Sequence, residues 1–140
     1  MMTIYPACFY HDEDGYSVIF PDLGYLATDG KTLEDAMKNA VDALAGSIYL
    51  DQKEGKKSPK ASDITDIDPR AVLKELGSEE KSPDCFVNYV SVDVETYGKE
   101  HFERSVKKTL TIPVWLDRLA IRKNVNFSKV LQEALIKIVL

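Results

Sequence analysis

Two cysteines, Cys8 and Cys85, occur in 140 residues. They are too few for a disulfide framework and stand at no metal-like spacing. Both fall in strand-like stretches, where a free thiol serves as a small buried hydrophobe and a reducing cytoplasm is the expected setting. Histidine is equally scarce. His11 and His101 each lie beside acids in a turn or a connecting segment, with no nucleophile or base in view to complete a catalytic pair. The chain lacks a phosphate loop, a nucleophile elbow and a dinucleotide fingerprint. No apolar run reaches the roughly 20 residues that span a bilayer. The start, MMTIYPACFYHDEDG, lacks the basic, apolar and small-residue order of a signal peptide. These absences argue against an enzyme, a membrane protein, and a bound cofactor or metal.

Positive charge is also scarce, but only in part of the chain. Residues 1–103 hold 10 Lys and Arg against 21 Asp and Glu, a net −11, whereas residues 104–140 hold 8 against 2, a net +6. A split of that size suggests that one end meets a polyanion and the other does not. Hydrophobic residues at 44% and charged residues at 29% fit a soluble globular chain. The length suits one domain, or a small domain with an appendage.

The acidic part reads as a small antiparallel sheet with helices. TIYPACFY, residues 3–10, alternates as a strand, with Ile4, Cys8 and Tyr10 on one face and Tyr5, Ala7 and Phe9 on the other. Pro6 cannot donate to a ladder, which predicts an edge or a bulge there. Asp14-Gly15 is a hairpin signal, and YSVIF, 16–20, is the returning strand. PDLG turns the chain into a short third strand, 25–28, completing a meander. Thr32 is then a helix N-cap with Asp35 as its capping-box partner. Leu33, Ala36, Met37, Ala40, Val41, Leu44, Ala45 and Ile48 form an apolar stripe over a helix at about 33–50. Residues 51–68 are polar and hold Gly, Pro and Ser, a loop or flexible excursion. Asp68-Pro69 starts a short helix with Val72, Leu73 and Leu76 on one face, closed by Gly77. CFVNYVSVDV, 85–94, is a strand suited to pair into the meander. Residues 95–105, ETYGKEHFERS, read as a linker.

The basic end poses a structural problem. In VKKTLTI, 106–112, Lys107, Thr109 and Thr111 share one polar face, while Val106, Lys108, Leu110 and Ile112 share the other. Pro113 ends that strand and starts a helix at about 114–123, with Leu116, Leu119 and Ala120 inward. Asn124-Val125-Asn126 turns into a last helix, capped by Asn126 or Ser128 and apolar at Val130, Leu131, Ala134, Leu135 and Ile138. One strand and two helices leave a ladder edge and an apolar face uncovered. Both are covered if two chains pair their strands antiparallel about a two-fold axis and interlock their helices. Lys107, Thr109 and Thr111 of each chain then line a two-stranded ribbon that fits a DNA major groove, and the start of the last helix offers N–H groups to a phosphate. The competing reading makes those three residues the solvated face of an ordinary edge strand. Trp115 fits a dimer seam, a contact to the front domain, or plain partial burial.

Lys107, Thr109, Leu110, Thr111, Ile112, Pro113, Leu116, Asn126, Ser128 and Leu135 together resemble the ribbon-helix-helix family of bacterial repressors. The front carries a second resemblance. Tyr5-Pro6, the acidic turn ending in Gly15, Tyr16-Ser17-Val18, Phe20-Pro21-Asp22-Leu23, and then Thr28, Gly30, Thr32, Leu33, Glu34 and Ala36 are similar to the opening of HicB-type antitoxins. The chain departs from the family at Gly24-Tyr25, where a Gly-Cys is common and the stretch is often one residue longer. The resemblance implies a reduced RNase H-like front domain over 1–94 that blocks a HicA-type toxin, an RNA-cleaving protein with a double-stranded-RNA-binding fold. It implies a ribbon-helix-helix dimerisation domain over 106–140 that binds the operon's own promoter.

The expected organisation is therefore α+β, with a toxin-binding domain 1–94, a linker 95–105 and a DNA-binding domain 106–140. The DNA-binding candidates are Lys107, Thr109, Thr111, Asn126, Ser128 and Lys129. Toxin contacts are expected around Asp22, Leu23 and Tyr25 and on the acidic helix face. The expected partners are a HicA-type toxin, operator DNA and a second copy, as a homodimer or higher oligomer, in the cytoplasm and with no membrane. One alternative is a stand-alone ribbon-helix-helix repressor whose front domain senses a small ligand in an apolar pocket. Another is a metal-dependent nuclease. Its candidate carboxylates, Asp12, Glu13, Asp14, Asp22 and Asp29, lie in turns rather than on the rigid platform a metal site needs.

Overall fold

The structure is a computed structural model that describes residues 1–78 and 84–140. Residues 79–83, in the stretch leading to the last expected strand, lie outside the described residues. The chain divides into two compact units, Met1–Arg104 and Ser105–Leu140.

Four strands build the first unit. β1 (Met2–Asp12), β2 (Gly15–Phe20) and β3 (Leu26–Gly30) form the meander, and β4 (Asp84–Asp93) pairs antiparallel with β1 on its other side. The sheet order is β3-β2-β1-β4. β1 is central in the sheet order, yet at Pro6 it is paired on the β4 side alone, so the local edge expected there is present. The proline is tolerated because the β1–β2 register begins only at Cys8↔Ile19, while at Pro6 the paired neighbour is Tyr89 of β4. β3 starts at Leu26, one residue later than expected, because Tyr25 takes a left-handed turn conformation with φ 60°.

The period-two alternation of β1 sorts its side chains onto two faces, as its sequence predicts. Tyr5, Ala7 and Phe9 join Val18, Phe20, Val90 and Val92 beneath α1 (Leu33–Lys53). Cys8, Tyr10 and Ile19 face the other way, against Val72 of α2 (Pro69–Glu75). α1 starts where Thr32 predicts, with Thr32 Oγ1 accepting from the Asp35 N–H at 3.1 Å. Ala36, Ala40 and Ala45 are fully buried, and their small size lets the helix lie close on the sheet. The tightest approach is at Gly30, where a Cβ would stand 2.3 Å from the Ala36 nitrogen.

Two expectations fail in instructive ways. Residues 95–105 are not a linker: Val94–His101 form a helix, α3, capped by Asp93, whose side chain accepts from the Thr96 N–H at 3.3 Å. α3 packs on α1 through Gly98, where a Cβ would lie 2.6 Å from the Tyr49 ring. The second fails only in part: the loop expected within 51–68 is present at 54–63, but it is not a loose excursion. α1 runs on to Lys53, and the segment beyond is tied to the sheet by polar side chains. Tyr5 donates its hydroxyl to the Pro59 carbonyl, Tyr89 accepts from the Ile64 N–H at 3.0 Å, and Tyr10 donates to the Pro69 carbonyl at 2.7 Å.

The second unit holds α4 (Val114–Arg122) and α5 (Phe127–Val139). Asn124 closes α4 at φ 55°, with its N–H on the Ile121 carbonyl at 3.0 Å and the Val125 N–H on the Ala120 carbonyl at 2.9 Å. That pattern is a Schellman cap, with asparagine taking the place glycine usually fills.

Candidate functional site

The six residues expected to meet DNA fall on two pieces of the second unit. Lys107, Thr109 and Thr111 lie on the exposed segment 105–113, which forms no helix and has no ladder partner among the described residues. In a single chain the expected strand has nothing to pair with, so the alternation of VKKTLTI appears as exposed apolar side chains, Val106, Leu110 and Ile112, beside exposed polar ones. Asn126, Ser128 and Lys129 gather in the first turn of α5. Asn126 is the cap, its side-chain oxygen accepting from the Lys129 N–H at 3.1 Å. Ser128 Oγ instead accepts from Gln132 Nε2 at 3.1 Å.

The helices behind these residues lack a core of their own. Every side chain of α4 and α5 is exposed or half-buried, including Leu116, Leu119, Val130, Leu135 and Ile138. Trp115 is 64% exposed.

In the first unit, Asp22, Leu23 and Tyr25 sit at the turn between β2 and β3, and intramolecular contacts engage all three. Asp22 accepts from the Ser62 N–H at 2.8 Å and from the Ser62 hydroxyl at 2.6 Å. Leu23 packs against the core beneath α1. Tyr25 donates its hydroxyl to Glu75, and that bond holds the phenol above its ordinary pKa. The turn therefore clasps the 62–75 segment. Other acids serve as local caps. Asp12 accepts from the Asp14 N–H, Asp63 from Thr65 and Asp68 from Arg70. Among the described residues no group of three His, Cys, Asp or Glu is placed to hold a metal ion, and no helix is long and apolar enough to cross a membrane.

The family model for HicB-like antitoxins of bacterial toxin-antitoxin systems matches residues 5–135, nearly the whole chain. The chain belongs to this family. A curated relative, Antitoxin HicB 2 of Photorhabdus laumondii subsp. laumondii, is 40% identical over 57 residues, which is 39% of this HicB-like chain and 41% of the relative. The match thus spans about two fifths of that relative's length. Among solved structures, a toxin-antitoxin complex from Streptococcus pneumoniae contains a chain 32% identical, matched over 96% of this chain and 97% of that one with a TM-score of 0.67. A HicA3 and HicB3 toxin-antitoxin complex contains one 28% identical, matched over 65% of this chain and 99% of that one with a TM-score of 0.49.

Tyr97, which the sequence does not mark, and His101, weighed above only as a lone histidine, stack on α3 with ring centres 3.9 Å apart. Tyr97 also donates its hydroxyl to Asp42 of α1 at 2.8 Å. Burial, with that bond to Asp42, pushes the phenol up to about 12. The available signal was the i, i+4 aromatic pair in ETYGKEH, which polar neighbours obscure.

Proposed function

We propose that the first unit binds and neutralises a HicA-type RNA-cleaving toxin, and that paired second units repress the operon by binding its promoter DNA. Membership of the HicB-like antitoxins supports the first half. So does near full-length likeness to a chain whose solved structure is a toxin-antitoxin complex. The net −11 over residues 1–103 suits a basic, RNA-binding mate, because opposite fields steer association and can occupy an RNA-binding face.

One observation carries the DNA half. The second unit has two helices with exposed apolar side chains and an extended segment without a ladder partner among the described residues. The unit is smaller than the roughly 40 residues at which a domain usually stands alone. A second copy supplies both missing surfaces, a strand for the ladder and helices for the core. The resulting ribbon carries Lys107, Thr109 and Thr111 on one face, and the net +6 of residues 104–140 matches a phosphate backbone. Asn126, Ser128 and Lys129 then stand near the backbone at the start of α5.

A titration of the homodimer against DNA from upstream of its own gene tests this half. Thr109→Ala with Thr111→Ala should weaken the operator by about 1–3 kcal/mol per lost base contact and relax selectivity. Lys129→Ala should weaken all sequences alike and lower the salt slope by about 1. Unchanged operator affinity in the double-threonine variant would remove the ribbon assignment. The toxin half is tested by growth: expression of the adjacent small protein should arrest cells, and this chain should restore them.

A further inference from the structure

The apolar stripe of α1 is wider than the sheet needs. Ala36, Ala40, Leu44, Ala45 and Ile48 are buried on the strands, whereas Met37 and Val41 are half-buried against the same core and Leu33 is exposed. These three stand at i, i+4 and i+8, so they form one ridge along the helix flank. Tyr97 and His101 of α3 form the facing wall, and an apolar groove runs between them. The walls are set in advance. Tyr97 is fixed by its hydrogen bond to Asp42 and by the stacked His101 ring, and α3 is seated on α1 through Gly98. Leu33 is 44% exposed.

We infer that this groove between α1 and α3 is the surface on which the toxin docks, by receiving an amphipathic basic helix of the partner protein. The inference rests on the antitoxin reading above. Two parallel ridges with a channel between them match the i, i+3, i+4 anchors of a helix lying in a groove. A rigid wall of aromatic side chains limits the ordering cost of binding. Charge selects the occupant. Glu34 and Lys38 line the groove itself, and the two helices that carry it hold six acids (Glu34, Asp35, Asp42, Asp51, Glu95 and Glu100) against three lysines (Lys38, Lys53 and Lys99), within a stretch of net −11 over residues 1–103. Lys38 and Lys99 are already bridged to Glu34 and Glu95 of their own helices, at 3.2 and 3.3 Å. A second copy of the first unit would bring like charge against like, and RNA would be repelled. The groove is an open channel on the surface, whereas a small ligand is held by a site that buries about 70–90% of it.

The test uses the tagged full-length chain co-expressed with its adjacent genes, and as probe the small basic protein that copurifies in stoichiometric amount. If the wild type retains no such protein, the antitoxin reading falls and this inference with it. Where it does, Leu33→Glu with Met37→Glu should weaken the complex at least about 30-fold, with unchanged far-ultraviolet circular dichroism. Binding equal to wild type would overturn the groove assignment while leaving the antitoxin reading in place. A measurement on the unmutated complex guards against a misfolded variant. Amide exchange at 33–42 and 94–101 should slow when the partner binds; slowing confined to the strands would overturn the proposal. So would a partner-free homodimer that the double variant breaks apart, or a small molecule retained by the free wild-type chain and lost from the variant.

Discussion

Tyr97 shows how single side chains tie this fold together. Its phenol is raised to about 12 from an ordinary 10.0, by burial first and then by Asp42. A raised folded value means that the contribution is complete below pH 10 and is lost as pH rises through 12. The caps behave in the opposite sense. Asp63 and Asp93 are held below the ordinary 3.8, chiefly by the N–H groups of Thr65 and Thr96. Their contribution is present above pH 3.8 and fades as pH falls through the lower folded values. Denaturant midpoints measured against pH should therefore fall at both ends. Tyr97→Phe should flatten the alkaline fall, and Asp93→Asn the acid one. Curves for both variants parallel to wild type would show that these bonds do not hold in solution.

At the scale of elements, strong periodicity was legible and weak periodicity was not. The alternation of TIYPACFY assigned both faces of β1, and the Thr32 cap with its apolar stripe located α1. α3 escaped because two turns of helix carry only one buried face, made of Val94 and Gly98, and a glycine reads as a break rather than as a contact. Its reason is tertiary: Gly98 is where the Tyr49 ring needs room. Gly98→Ala should cost about 1–3 kcal/mol by overpacking that contact, read as a lower unfolding midpoint. The predicted cost is larger than helix propensity alone would return with the opposite sign, so a stabilised variant would count against the packing. That the loop within 51–68 is tied down was not legible for a related reason. Its partners are the hydroxyls of Tyr89 and Tyr5, 25 and 54 residues away in sequence, and no local pattern announces them. In the site, Asp22 and Tyr25 carry no local mark of their bonds to Ser62 and Glu75, 40 and 50 residues away. The cap at Asn126 is local, and the sequence narrowed it to Asn126 or Ser128.

At the scale of the whole molecule, charge and foldability divide at nearly the same place. The acidic part coincides with a unit that has its own core, and the basic part with one that lacks it. Thermal unfolding should accordingly show one transition that ignores protein concentration, from the first unit, and one that rises with it, from paired second units. A single concentration-independent transition would argue against pairing. The most direct measurement is native mass spectrometry of the full chain co-expressed with its adjacent genes. The predicted result is an even number of copies of this chain carrying a small basic protein in equal number. A bare monomer, with neither the second copy nor the partner, would contradict both halves of the proposed function.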